Sequence, residues 1–145
     1  MWDSVLNASW ANIWASISSL FTALGVIVAL RVMQRWRNQE ELKAKMVFKQ
    51  AIADYSYCLM HLPTTLQLNN ISSKQIDKCN ELVDRLSVCH NAWLLSEGLM
   101  QKDRDVSDAW GGIFENHKKY LKGELSSLVL GAHCTTILEK KFVFK

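Results

Sequence analysis

The sequence predicts an all-α protein: a single N-terminal transmembrane helix continuing into a small cytosolic helical bundle. Three observations carry this reading. Charge is absent from residues 4–30, although the chain holds 17 basic and 14 acidic side chains. Beyond Arg31, apolar residues recur at the three- and four-residue intervals of a helix face. No strand pair, hairpin turn or internal repeat is legible. Averages conceal the split: 49% of the 145 residues are hydrophobic and the net charge is +3, ordinary for a soluble domain. The length admits one modest domain plus an appendage. The composition excludes low-complexity, collagen-like and cysteine-rich secreted scaffolds.

The first element is a span over residues 10–32, preceded by a short extracytoplasmic flank at residues 1–9. A helix of ~20 apolar residues crosses a ~30 Å hydrocarbon core, and Ile13 to Val32 suffices. Trp10 and Trp14 mark one edge and Trp36 the other, at the depth that amphipathic indoles favour. Arg31, Arg35, Arg37, Lys43 and Lys45 follow the apolar stretch, whereas only Asp3 precedes it. The positive-inside bias therefore places the N-terminus outside and the bulk of the chain in the cytosol. The same cations would hold the exit helix against an anionic inner leaflet. A cleaved signal peptide is disfavoured, because its basic residues belong before the apolar stretch.

The span has two faces. At about 100° per residue, Trp10, Ile13, Trp14, Ile17, Leu20, Phe21 and Leu24 fall on one side. Ser9, Asn12, Ala15, Ser16, Ser19 and Ala23 fall on the other, with Ala15/Ser19 and Ser19/Ala23 in small-xxx-small register. Helices in lipid associate through such residues, which admit close backbone approach and interhelical hydrogen bonds. The face is read as the site of self-association or of docking on another membrane protein. A bolder reading has its hydroxyls line a water-filled space. The bland one has each serine bonded back to its own helix.

Three further segments complete the expectation. No Pro or Gly falls between Leu30 and Pro63, so a juxtamembrane helix over 33–62 extends the span, carries Met33, Trp36, Val47, Phe48, Ile52, Tyr55 and Leu59, and stops at the only proline. A cytosolic helical bundle occupies 72–145. Its first helix is capped by Ser72 or Ser73 and displays Ile76, Cys79, Val83, Leu86, His90 and Trp93 in a 3-4 alternation, the expected seam. A third helix opens at Asp103 or Asp105 and is weakened by Gly111-Gly112. A fourth spans 124–138, interrupted at Gly131, and a short basic-apolar tail follows.

Chemistry is sparse. Cys58-x2-His61, Cys89-His90 and His133-Cys134 offer zinc-type ligands, but no C-x2-C knuckle accompanies them. Buried thiols are ordinarily small hydrophobes. Adjacent Cys and His on a helix diverge, so a catalytic Cys–His pair is not implied. No phosphate loop, dinucleotide fingerprint, nucleophile elbow or metalloprotease motif is present. No cofactor or metal is expected, and no enzyme. Nucleic-acid binding is disfavoured by the small net charge and the lack of a basic stripe.

In architecture alone, the chain resembles small single-span proteins with cytosolic helical domains that serve as bacterial membrane effectors or accessory subunits. That resemblance implies a non-enzymatic membrane protein whose bundle binds a partner or senses a signal. In its effector form, assembly disturbs the membrane, as in toxin or phage-defence systems. The alternatives are an accessory or anchoring subunit of a larger membrane complex and, more remotely, a soluble helical oligomer with a buried N-terminal helix.

Overall fold

The computed structural model describes residues 2–67, 71–96 and 98–142, with side chains from Trp10 onward except that of Ala11. Four helices follow in order: α1 (Trp2–Met60), α2 (Ser73–Leu95), α3 (Arg104–Leu121) and α4 (Ser127–Glu139). Among the described residues there is no strand. The chain divides into two units, Met1–Gln39 and Glu40–Lys145. Residues 2–9 are helical and belong to α1.

Helix ends follow local chemistry. Pro63 biases the residue before it away from helical geometry. The last turn of α1 accordingly tightens, with His61 N–H bonding Cys58 O and Leu62 N–H bonding Leu59 O. Ser72 caps α2 in a reciprocal box: its side chain accepts from Gln75 N–H, and the Gln75 side chain accepts from Ser72 N–H. Ser126 caps α4 by accepting from Leu128 N–H at 3.2 Å. Asp103 stands at the N-cap of α3 without a side-chain capping bond. Its carboxylate instead pairs with Lys140 at 2.9 Å, which also holds Asp105 at 2.9 Å. The end of α4 is thereby tied to the start of α3.

The second unit has one core. Phe48, Ile52, Tyr55 and Leu59 of α1 meet Leu82 and Cys89 of α2, Val106, Trp110, Ile113 and Tyr120 of α3, and Leu130, Cys134 and Ile137 of α4. Phe48 packs against two stacked indoles, its ring 5.3 Å from Trp93 and 5.5 Å from Trp110, the latter edge-on, with the indoles 5.9 Å apart. The second half of the 33–62 segment thus supplies a wall of the core. Met46 and Val47 stay exposed.

Glycine breaks no helix where the sequence suggested it would. α3 runs through Gly111-Gly112, and α4 runs through Gly131. At Gly112 the reason is a close approach: a Cβ there would lie about 2.6 Å from the His133 ring of α4. The missing side chain makes room for that ring, which offsets the intrinsic cost of a helical glycine. Gly123 sits at φ +74, where a Cβ would meet the Leu66 carbonyl. That left-handed residue turns the chain out of α3, as glycine does past helix ends.

These positions separate cleanly by substitution. Gly111 has open space around it, so Gly111→Ala is expected to stabilise the fold by about 0.5–1 kcal/mol. Gly123→Ala is expected to destabilise it by about 1–3 kcal/mol, and Gly112→Ala by less, since the His133 ring can turn aside. Chemical denaturation of the three variants in detergent checks the ordering.

Candidate functional site

Every described side chain from Asn12 to Glu40 is exposed. Within Asn12–Met60 lies an 18-residue stretch of mean hydropathy 2.1, none of it buried, so α1 is long and apolar enough to cross a membrane. The large residues stand fully out, with Trp14 at 64%, Phe21 at 69% and Trp36 at 69% exposure. Trp14 and Trp36 are separated along the helix axis by about 33 Å, close to the ~30 Å of a hydrocarbon core.

Asn12, Ala15, Ser16, Ser19 and Ala23 are exposed along this helix, while the Ser9 side chain lies outside the described residues. Ser16 donates to the Asn12 carbonyl at 2.8 Å, and Thr22 donates to the Ser18 carbonyl at 2.9 Å. Both hydroxyl protons are therefore satisfied within the helix, which lowers the cost of placing them in lipid. Their oxygens remain able to accept a bond from a neighbouring helix. Trp10, Arg31, Arg35, Trp36 and Arg37 are likewise exposed, and among the described residues these three arginines make no ion pair.

In the second unit, the expected seam is half buried. Cys79, Leu86 and Trp93 pack against the core, but Ile76 and Val83 are 50% and 41% exposed, and His90 is only partly covered. The stripe that is buried runs through Leu82, Cys89 and Ser96, one residue earlier on alternate turns. Both registers share Cys79, Leu86 and Trp93, and α1 and α4 select between them. Ile76, Cys79 and Val83 line a shallow groove of about 160 Å³ together with Leu66, Ile71, Asn80 and Leu121.

Sequence reasoning missed the buried polar pair. Tyr55 Oη and His117 Nδ1 lie 2.9 Å apart inside the core. Burial pushes the His117 imidazole down to about 4 and raises the Tyr55 phenol, with the thiols of Cys134 and Cys89 adding to that rise. The imidazole is therefore neutral, and a single hydrogen bond joins the ring to the phenol. Among the described residues, neither His117 Nε2 nor His90 Nδ1 finds a partner. No local signal marks His117, since its partner is 62 residues away.

The Cys/His pairs do not converge as a ligand set. No group of three His, Cys, Asp or Glu able to hold a metal occurs among the described residues. His61 Nδ1 lies 2.8 Å from the carbonyl of Tyr57, His90 stacks on Phe114 at 5.2 Å, and the His133 ring covers Gly112. Burial raises all four thiols, Cys89 and Cys134 to about 12. Protonated thiols are poor nucleophiles. An open cleft of about 530 Å³ between α3 and α4 is lined by Asp105, Asp108, His133, Thr136, Glu139 and Lys140, with Ala109 at its base.

No protein family, curated protein or solved structure matches this chain.

His117 supplies a pH dependence. Its folded-state pKa lies below the ordinary 6.5, so the unfolded chain takes up the proton first. The stabilisation is complete above about pH 6.5 and is lost as pH falls towards 4, by up to about 3 kcal/mol. Denaturation at pH 7 and pH 4.5 is expected to show this loss, with a flatter profile for His117→Gln.

Proposed function

We propose that this chain is a non-enzymatic single-pass membrane protein, N-terminus out and C-terminus in, that self-assembles through the Ser/Ala/Gly face of its span. The observation that carries the reading is the bare apolar length of α1, with hydropathy 2.1 and no burial in its most apolar stretch. In water that surface would aggregate. A bilayer covers it without any partner from the same chain. Arg31, Arg35 and Arg37 supply the charge asymmetry for orientation and attraction to an anionic leaflet.

Assembly follows from what lipid leaves unsatisfied. Apolar side chains gain nothing by leaving acyl chains for one another, so close approach and hydrogen bonds decide helix pairing. Asn12, Ala15, Ser16, Ser19 and Ala23 offer both, continued by Gly25 and Ala29. The helical unit then binds a partner or senses a signal in the cytosol. In the effector form of this proposal, assembled spans disturb the bacterial inner membrane. The protonated thiols of Cys89 and Cys134 support a role without thiol chemistry.

The decisive experiment expresses the full chain and its Ser16→Leu/Ser19→Leu variant. Both are expected to stay with the membrane after alkaline extraction. Only the unaltered chain is expected to form the larger span-linked assemblies in mild detergent and depolarise cells, whereas the variant is expected to fall to a smaller assembly. Release by alkaline extraction would overturn the span, and unchanged assembly in the variant would overturn the face.

A further inference from the structure

We propose that the exposed face shared by α2 and α3 is where a second copy of this chain docks, with α2 of each copy lying on α3 of the other. Ile76, Val83 and Leu94 of α2 and Phe114 of α3 are each exposed by 41–60%. Ile76, Val83 and His90 are spaced by seven, the period with which one helix meets another along its length. The stripe Ile76, Asn80, Val83, Ser87, His90 and Leu94 carries no formal charge over five turns, a surface suited to a helix rather than to water.

The rims name the occupant. Asp77 and Asp84 border the stripe on the outer side of α2, and Lys118 and Lys122 border it on α3, all four exposed. α2 and α3 run antiparallel, with Val83 near Leu121 and His90 stacked on Phe114. A second copy related by a twofold axis along the groove sets its α2 on the first copy's α3. Asp77 and Asp84 then face Lys122 and Lys118 of that copy, and the reverse contact repeats them, as an isologous interface requires. A twofold axis across the groove sets α2 on α2 and brings the aspartates together, which is repulsive. The face is thus complementary to itself in one arrangement only. Glu115 stands on the same α3 rim, seven residues before Lys122 and level with the His90 end of the stripe rather than with either aspartate, and Lys122 also pairs with Glu124 at 4.0 Å.

This contact deepens the self-assembly proposed above but lies in a different unit, so the two are separable. Full-length chains with two different tags are co-produced, extracted in mild detergent and captured through one tag. Measurements are made in the natural sequence and in the Ser16→Leu/Ser19→Leu background, with helicity confirming each fold. Asp77→Lys/Asp84→Lys in one copy is expected to lower recovery of the other copy about tenfold in the altered-span background. Adding Lys118→Glu/Lys122→Glu to the second copy is expected to restore one rim and raise recovery again. Recovery indifferent to the charge reversals, failure of the paired reversals to rescue, or no recovery in the altered-span background would each overturn this proposal. The first two outcomes leave the span face intact as an explanation. Other polypeptides recovered in place of the second copy would assign the face to a different partner and likewise overturn it.

Discussion

Apolar surface that finds no cover within its own chain is the constraint from which the rest follows. From Asn12 to Glu40, α1 exposes every described side chain, and a helix is the conformation in which such a segment satisfies its peptide groups internally. Each large residue left in water forgoes roughly 1.5–3 kcal/mol of burial. A run containing Trp14, Leu20, Phe21, Leu24 and Ile27 therefore demands an apolar surrounding. Its hydroxyls make the demand easier to meet, since Ser16 and Thr22 bond back to carbonyls one turn earlier.

The second unit obeys the opposite rule, for it covers its own apolar surface. Its core draws on all four helices and is organised by aromatic contacts around Phe48 and by the Tyr55–His117 bond. A buried imidazole with one nitrogen unpartnered is costly, and here it remains neutral at physiological pH. The pair resists a change of register, because sliding α3 by one residue would strand both the phenol and the ring. Such a bond trades stability for a single arrangement.

Features that depend on neighbours along the chain were legible in the sequence. The helical character of α1, its stop before Pro63, and a cap at Ser72 all followed from residues within one or two turns. Features set by distant residues were not. Gly111-Gly112 and Gly131 read as weak points, because local rules cannot see His133 lying over Gly112. The α2 seam was recovered at Cys79, Leu86 and Trp93 and displaced at Ile76, Val83 and His90, since two registers satisfied the same periodicity and the core chose Leu82 and Cys89. A preference for Leu and Cys over Val and His at the buried positions would have pointed the right way. For the span face and the basic exit, the sequence supplies the residues, while their role depends on surroundings outside the chain.

Lys140 carries a consequence for the order in which the molecule comes into being. Its amine binds Asp103 and Asp105, and its carbonyl accepts from Lys49. It is thus translated after every residue it joins. Phe48, Ile52 and Tyr55 likewise wait for Leu130, Cys134 and Ile137 before their core can close, an interval on the order of ten seconds at ordinary elongation rates. Throughout that interval the apolar segment of α1 has already been translated. The helical unit is still an open chain during it, so the appearance of the apolar segment and closure of the core are events separated in time.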